Sequence, residues 1–132
     1  MPSILIIEDN VDNMELTVLL LKSASYTVLC AVDAETGMTI AQEEQPDLIL
    51  MDIHLPGMDG LAATALLKQD MRTRAIPIFA LTALAMKGDK ERILAAGCDG
   101  YIAKPIRIRE FLAAIAAQLG QPEPAAADDG WG

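Results

Sequence analysis

Five short apolar runs, separated by longer segments of helical periodicity, constrain the fold more than any other feature of the sequence. The runs are 4–7, 26–31, 48–51, 76–81 and 101–103. Apolar residues that follow one another in this way are typical of strands buried on both faces of a parallel sheet. The segments with helical spacing are 11–24, 34–45, 59–69, 85–96 and 106–119. The alternation predicts an α/β fold, a five-stranded parallel sheet with helices on both faces.

Polar residues and glycines at the predicted boundaries indicate how the helices begin. Asp12, Asp33 and Asp59 stand where helix N-caps are expected. Gly57 and Gly60 lie in the loop after the third strand, where we expect them to allow positive φ and a tight turn.

The length indicates a single domain, which we assign to residues 1–120. Residues 121–132 contain two prolines and no helical or strand periodicity, so we expect a flexible C-terminal tail. A docking role for Trp131 is the alternative interpretation of this segment.

The charge balance excludes several classes of partner. The chain has 19 acidic and 10 basic residues and a net charge of -9. Such a chain repels the phosphates of nucleic acids and anionic membrane surfaces, so we expect neither as a direct partner.

Other features favour a cytoplasmic protein. No apolar run is long enough to span a bilayer, and acidic residues follow the first strand too early for a signal peptide. Cys30 and Cys98 lack a C-x-x-C spacing and are expected to be buried, reduced thiols, and the single histidine excludes a histidine-rich metal site.

Chemically versatile residues follow the predicted strands. Glu8 and Asp9 follow the first strand, Asp52 the third, Thr82 the fourth and Lys104 the fifth. Because parallel strands end at the same edge of a sheet, these side chains should converge there. Clustered carboxylates are unfavourable without a cation, and an all-oxygen ligand set suits Mg²⁺. A carboxylate beside Mg²⁺ and a lysine is a plausible phosphoryl acceptor.

The sequence resembles the receiver domain of two-component response regulators, the CheY-like family, over residues 3 to about 120. The matching motifs are IIEDN (6–10), LILMDIHLPGMDG (48–60), ALTA (80–83) and YIAKP (101–105). The stretch 86–106 is similar to single-domain regulators of the DivK type and to receivers attached to hybrid histidine kinases. The resemblance implies the flavodoxin-like receiver fold.

The resemblance also implies roles at the acidic edge. Asp52 would accept a phosphoryl group from a phosphohistidine of a histidine kinase or phosphotransfer protein. Asp9 and Asp52 would bind Mg²⁺, Glu8 would hold it through water, and the backbone carbonyl of His54 would supply another ligand. Such a domain is not an enzyme in the ordinary sense, although it assists its own phosphorylation and dephosphorylation.

Further roles concern the switch that the family uses. Thr82 would bind a phosphoryl oxygen, and Lys104 would pair with Asp52 and then with the phosphoryl group. Tyr101 occupies the position of the aromatic switch residue. The Lys104–Pro105 bond is expected to be cis, which X-Pro bonds permit at modest cost.

The output is expected to be binding to a protein partner, or transfer of the phosphoryl group onward in a relay, because residues 121–132 are too few for a DNA-binding module. The first helix carries two apolar stripes. If the helix has the same rotation about its axis as in the family, Leu16 and Leu20 would be buried. Met14, Val18 and Leu21 would then be partly exposed and form a docking face for the phosphodonor.

Three alternatives remain. The chain could be a receiver excised from a hybrid kinase, although its first and last residues favour a free-standing protein. An aspartyl-phosphate phosphatase would need a second Asp where His54 stands. A flavodoxin-like cofactor binder would need a phosphate loop where Glu8 and Asp9 would repel a phosphate.

Overall fold

The computed structural model describes residues 2–55, 57–83 and 87–120, and the predicted tail, 121–132, lies outside these ranges. Within them five strands and five helices alternate. The strands are β1 (Ser3–Ile7), β2 (Thr27–Ala31), β3 (Leu48–Asp52), β4 (Ile78–Thr82) and β5 (Gly100–Ala103). The helices are α1 (Val11–Ser23), α2 (Ala34–Glu44), α3 (Gly60–Gln69), α4 (Lys87–Ala95) and α5 (Ile108–Leu119). Across these ranges no helix has the length and apolar character needed to cross a membrane.

The sheet is fully parallel, with strand order β2-β1-β3-β4-β5. After β2 the chain crosses β1 and continues on its other side, so the direction of winding reverses between β1 and β3. Ile7 at the end of β1 is in register with Met51 of β3. The residues that follow, Glu8 and Asp52, therefore emerge side by side at the reversal point, where open α/β sheets place their sites.

Alternate residues of the central strands enter two separate hydrophobic clusters, because successive side chains of a strand point to opposite faces. One cluster joins β1, β3 and β4 to α2, α3 and α4; its strand members include Leu5, Ile7, Ile49, Met51 and Ile78. The other joins the sheet to α1 and α5; its strand members include Ile4, Ile6, Leu48, Leu50 and Phe79. The predicted α/β architecture with helices on both faces is confirmed. Cys98 is buried as expected, but Cys30 is exposed, so that part of the prediction is wrong.

Three of the helices begin at a polar cap. Asp33 accepts a hydrogen bond from the backbone N–H of Thr36, and Asp59 caps α3 in the same way, as predicted. The prediction of Asp12 as the cap of α1 is wrong. Asn10 caps that helix through its side chain, because the helix already begins at Val11. Asp12 instead lies in the first turn, where a carboxylate still favours the helix dipole.

The buried face of α1 differs from the predicted one. Leu20 is buried as expected, but Leu21 is 0% exposed, whereas Leu16 is 39% exposed. Met14 and Val18 are half-buried and pack against the cluster under α1 and α5. The assignment of Leu21 to a docking face is therefore wrong. Helix α1 turns its Leu20–Leu21 edge toward the sheet, so both of these residues are buried although they belong to different predicted stripes.

The two glycines after β3 have different functions. Gly57 has a positive φ of 75°, as predicted. Gly60 has no positive φ, so that prediction is wrong; it is the first residue of α3. A Cβ there would clash with the carbonyl oxygen of Asp52 and lie 2.7 Å from the Cα of Ile53. The absence of a side chain at Gly60 therefore lets α3 start against the end of β3.

We predict that Gly60→Ala lowers the free energy of unfolding by about 1–3 kcal/mol, because the added methyl group meets backbone atoms that cannot move aside cheaply. Gly88→Ala is the matched control: a Cβ there has no neighbour within 4 Å. It should leave stability unchanged or raise it by about 0.5–1 kcal/mol, as expected for Gly→Ala in a helix. Urea unfolding measures both, and equal stabilities of the two variants would contradict the prediction.

Candidate functional site

Three carboxylates meet at the carboxyl edge of the sheet. Glu8, Asp9 and Asp52 each offer an oxygen atom, and these atoms lie within 4.8 Å of one another. Glu8 is 1% and Asp52 3% exposed, whereas Asp9 is open to solvent. The cluster is therefore open to solvent at Asp9, while its other two acids are enclosed by the protein.

Lys104, which follows β5, reaches across the edge to both buried carboxylates. Its Nζ lies 2.9 Å from Oε1 of Glu8 and 3.4 Å from Oδ2 of Asp52. The sequence predicted the pairing with Asp52, but the shorter contact is with Glu8. The peptide bond between Lys104 and Pro105 is cis, in agreement with the expectation.

Backbone groups hold the two buried carboxylates in place. The N–H of His54 donates to Oδ1 of Asp52 at 2.9 Å, and the N–H of Asn10 donates to Oε2 of Glu8 at 3.3 Å. The side chain of His54 is exposed. Each acid is thus hydrogen-bonded by the loop that follows its own strand.

The two buried acids have opposite pKa shifts. Burial raises the pKa of Glu8 to about 7, reinforced by the neighbouring carboxylate of Asp52 and opposed by Lys104. Burial also acts to raise the pKa of Asp52, but hydrogen bonds from Glu8 and the His54 N–H, together with Lys104, lower it below its ordinary value. Without a metal ion, Glu8 therefore retains a proton in much of the population at neutral pH, while Asp52 is ionised.

Thr82 lies at the end of β4 and is 0% exposed. Asp52 is in register with Leu81, so Thr82 stands one residue beyond the level of Asp52 on the neighbouring strand. The carbonyl of Thr82 accepts a hydrogen bond of 2.8 Å from the backbone N–H of Lys104. This bond holds the start of the β5–α5 loop beside the end of β4.

Tyr101 lies in β5 and is half-buried against the cluster under α2, α3 and α4. The Nζ of Lys90 on α4 lies 5.4 Å from the centre of its ring, a cation–π distance. The phenol ring is therefore a contact between β5 and α4.

The donor set suits a hard divalent cation. Every candidate ligand is an oxygen atom, and Mg²⁺ binds proteins through one or two carboxylates while keeping several waters. A cation here would offset the mutual repulsion of Glu8, Asp9 and Asp52 and favour their ionised forms. Asp9 is open to solvent, so such a cation could keep water ligands on that side.

Two features of the site escaped sequence analysis. Asn10 both caps α1 and donates its N–H to Glu8. Its position, directly before the helix and after the acidic pair, was the signal that could have identified it. The Glu8–Lys104 contact had no signal in the sequence, because it depends on how far the lysine extends across the sheet.

Comparisons with known proteins agree with the geometry of the site. The profile of the response regulator receiver domain family matches residues 4–116. The chain is 45% identical over 118 residues to the polar-differentiation response regulator DivK of Brucella anthropi, covering 89% of this chain and 96% of DivK. DivK of Brucella abortus shows the same identity and coverage.

Solved structures agree as well. The receiver domain of a sensor histidine kinase from Pseudomonas aeruginosa, solved with a magnesium ion in its active site cleft, has a TM-score of 0.84 and 36% identity. The alignment covers 91% of this chain and 98% of that domain. A chemotaxis response regulator of Vibrio cholerae has a TM-score of 0.85 over 90% of this chain and 99% of its own. At 24% identity it supports the fold alone.

We predict that Lys104→Met lowers the free energy of unfolding by about 1–3 kcal/mol in metal-free buffer at neutral pH, because it leaves the buried charge of Asp52, and that of the ionised fraction of Glu8, without a cation. The loss should shrink as the pH falls, since protonation removes the uncompensated charge. Lys22→Met, which removes an exposed cation from the last turn of α1, is the control and should change little. Equal urea midpoints for the two variants would show that Lys104 does not neutralise the site.

Proposed function

Because this chain belongs to the response regulator receiver domain family, we propose that Asp52 accepts a phosphoryl group from the phosphohistidine of a histidine kinase or histidine phosphotransfer protein. The observation that carries the assignment is the state of Asp52. It is buried, its pKa is held low, and it lies within reach of Lys104 and two further carboxylates. An ionised carboxylate in such a setting is a competent nucleophile toward phosphorus.

In the proposed reaction one carboxylate oxygen of Asp52 attacks the phosphorus atom of phosphohistidine. A P–O bond forms, the P–N bond breaks, and the electron pair leaves with the imidazole, which takes a proton. The product is an acyl phosphate on Asp52. Lys104 already contacts Oδ2 of Asp52, so its ammonium group can neutralise charge on the incoming phosphoryl oxygens.

We assign the Mg²⁺ site to the carboxylates of Glu8, Asp9 and Asp52 and the backbone carbonyl of His54, with Glu8 acting through water. When bound, Mg²⁺ supplies positive charge to the phosphoryl oxygens. Glu8 must release its proton for this site to reach full negative charge, since burial and Asp52 hold its pKa near 7.

The same residues support a switch. Thr82, one residue beyond the level of Asp52 on the neighbouring strand, would bind a phosphoryl oxygen, and Lys104 would move its contact from Glu8 toward the phosphoryl group. Movement of Thr82 would leave room for Tyr101 to turn inward. Phosphorylation can shift this equilibrium only to the extent that the phosphoryl group interacts more favourably with one conformation than with the other. The output is a changed surface around α4, β5 and α5 that a protein partner recognises.

Receiver domains are signalling regulators, and we assign to this one the two reactions that control its own state: phosphorylation, and hydrolysis of the acyl phosphate. We place it in the cytoplasm, with the signalling domain in residues 1–120. The regulator DivK, which matches over nearly its full length, supports this assignment above that of a phosphatase.

We predict that Asp52→Asn abolishes labelling by acetyl phosphate, because the amide cannot form an acyl phosphate. Labelling is measured by intact mass, and its loss with hydroxylamine identifies the acyl bond. Asp59→Asn is the matched control: it changes a nearby carboxylate to another good N-cap and should label like the wild type. Chelation of Mg²⁺ should abolish labelling of the wild type, and full labelling of Asp52→Asn would refute the assignment.

The phosphodonor should dock on exposed apolar side chains of α1. Val11 is 68% exposed and follows Asn10 directly, beside the acidic edge. Met14 and Val18, which we assigned to this contact, are half-buried below it and can contribute only their outer surfaces. An exposed apolar side chain beside the acidic edge can stabilise a complex, because a partner that covers it removes apolar surface from water.

We predict that Val11→Gln slows phosphotransfer from a histidine kinase by about fivefold, the effect of losing about 1 kcal/mol of docking free energy. Labelling by acetyl phosphate should not change, because the substitution adds no charge near Asp52. Met71→Gln, at a residue that is 81% exposed, is the control. An equal loss of rate with both phosphodonors would mean that Val11 affects the phosphorylation step itself. No loss with either donor would show that Val11 is not part of the docking face.

A further inference from the structure

A cleft of about 170 Å³ lies between β5 and the first half of α5. Its walls include Tyr101, Ala103, Pro105, Phe111 and Ala114, with Arg107 and Glu110 also lining it. Ala103 and Pro105 are exposed, so apolar surface is open to solvent here. A cavity of this size can hold an aromatic ring.

The region around the cleft is the basic part of an acidic protein. Residues 87–120 contain six of the ten basic residues and only four of the 19 acidic ones. Lys90 lies over the ring of Tyr101, and Arg107 is exposed at the cleft. An acidic segment that carries an aromatic side chain therefore fits this surface by both charge and shape.

Residues 121–132 have that composition. They contain Glu123, Asp128 and Asp129, no basic residue, and Trp131, the single tryptophan of the chain. They follow directly on α5, which ends at Leu119 with Gly120 as its cap. The segment is thus attached to the same helix that forms one wall of the cleft.

The length of this segment is sufficient. The cleft lies toward the start of α5, and a helix of 12 residues is about 18 Å long. Trp131 is eleven positions beyond Gly120, and an extended chain of eleven residue steps spans up to about 36 Å. Trp131 can therefore reach the cleft with several residues to spare, even though two prolines restrict the path.

We propose that residues 121–132 fold back along α5 and bind their own domain, with Trp131 in the cleft between β5 and α5 and Asp128 and Asp129 facing Arg107. A larger groove of about 420 Å³ between α2 and α3 is a poorer match, because Glu35 and Asp70 line it without a basic residue, whereas Arg107 offsets Glu110 in the β5–α5 cleft. Charge complementarity thus selects the β5–α5 cleft.

This intramolecular contact would cover the wall formed by Tyr101. A protein that binds the surface of β5 and α5 would then have to displace Trp131, so the segment sets a threshold for that partner. Because Tyr101 is three residues from Lys104, a change in the acidic edge can alter the fit of Trp131.

The test uses the fluorescence of Trp131 in the full chain, where one tryptophan makes the signal unambiguous. Its emission maximum and its quenching by acrylamide are compared with those of a synthetic peptide of residues 121–132. We expect a blue-shifted maximum and quenching weaker by about twofold or more, as for a ring removed from water. Emission and quenching identical to those of the peptide would overturn the proposal.

Two matched substitutions test the position of the segment. In Arg107→Glu, acrylamide should quench Trp131 as strongly as it quenches the free peptide, because the substitution places a repulsive charge in the cleft. Arg109→Glu makes the same charge change in the first turn of α5, at a residue that does not line the cleft, and should retain the protection. Neither side chain is needed to cap α5, so both variants should fold. Equal effects of the two would refute the assigned cleft.

A charge exchange completes the test. Asp128→Lys with Asp129→Lys should release Trp131 from the wild-type domain and restore its protection when combined with Arg107→Glu. Protection should be independent of protein concentration, since the contact is within one chain. Protection that appears only at high concentration would instead show binding between two copies and would overturn the intramolecular proposal.

Discussion

The contact of Lys104 with two buried carboxylates is the interaction on which the site depends. Glu8 and Asp52 lie within the end of a close-packed core, where an isolated negative charge is strongly unfavourable. One ammonium group within 2.9 Å and 3.4 Å of them, together with a backbone N–H for each, offsets that cost. In the absence of a bound cation, the proton retained by Glu8 removes the negative charge that Lys104 does not offset. The protein thus keeps Asp52 ionised inside a region that would otherwise neutralise it.

The order of the strands makes this contact possible. β1 and β3 are neighbours only because the chain passes from β2 to the other side of β1, and this crossing brings Glu8 next to Asp52. Lys104 follows a strand two positions away from β3, and the length of its side chain spans that gap. A sheet with the same strands in sequential order would place the two acids on separate strands that do not touch.

Helix α3 is attached to the sheet at both ends, and this attachment keeps the loop after Asp52 in place. At its start, Gly60 lies against the backbone of Asp52. At its end, Lys68 donates to the carbonyl of Ile76 at 2.8 Å and pairs with Asp99 at 2.9 Å. Asp99 in turn accepts a hydrogen bond from the N–H of Ile78. His54 therefore lies between the end of β3 and a helix that is attached to the sheet at both ends.

The sequence alone determined the order of strands and helices, since apolar runs and helical periodicity are local properties of the chain. It also identified the polar residues of the acidic edge, because every parallel strand ends at the same side of its sheet. Local pattern failed where a residue's environment is set by distant parts of the chain. Leu21 is buried and Leu16 exposed because the sheet and α5 fix the rotation of α1. Only the tertiary structure decided that Lys104 lies closer to Glu8 than to Asp52 and that Gly60 serves close packing, because both depend on distances between segments that are remote in sequence.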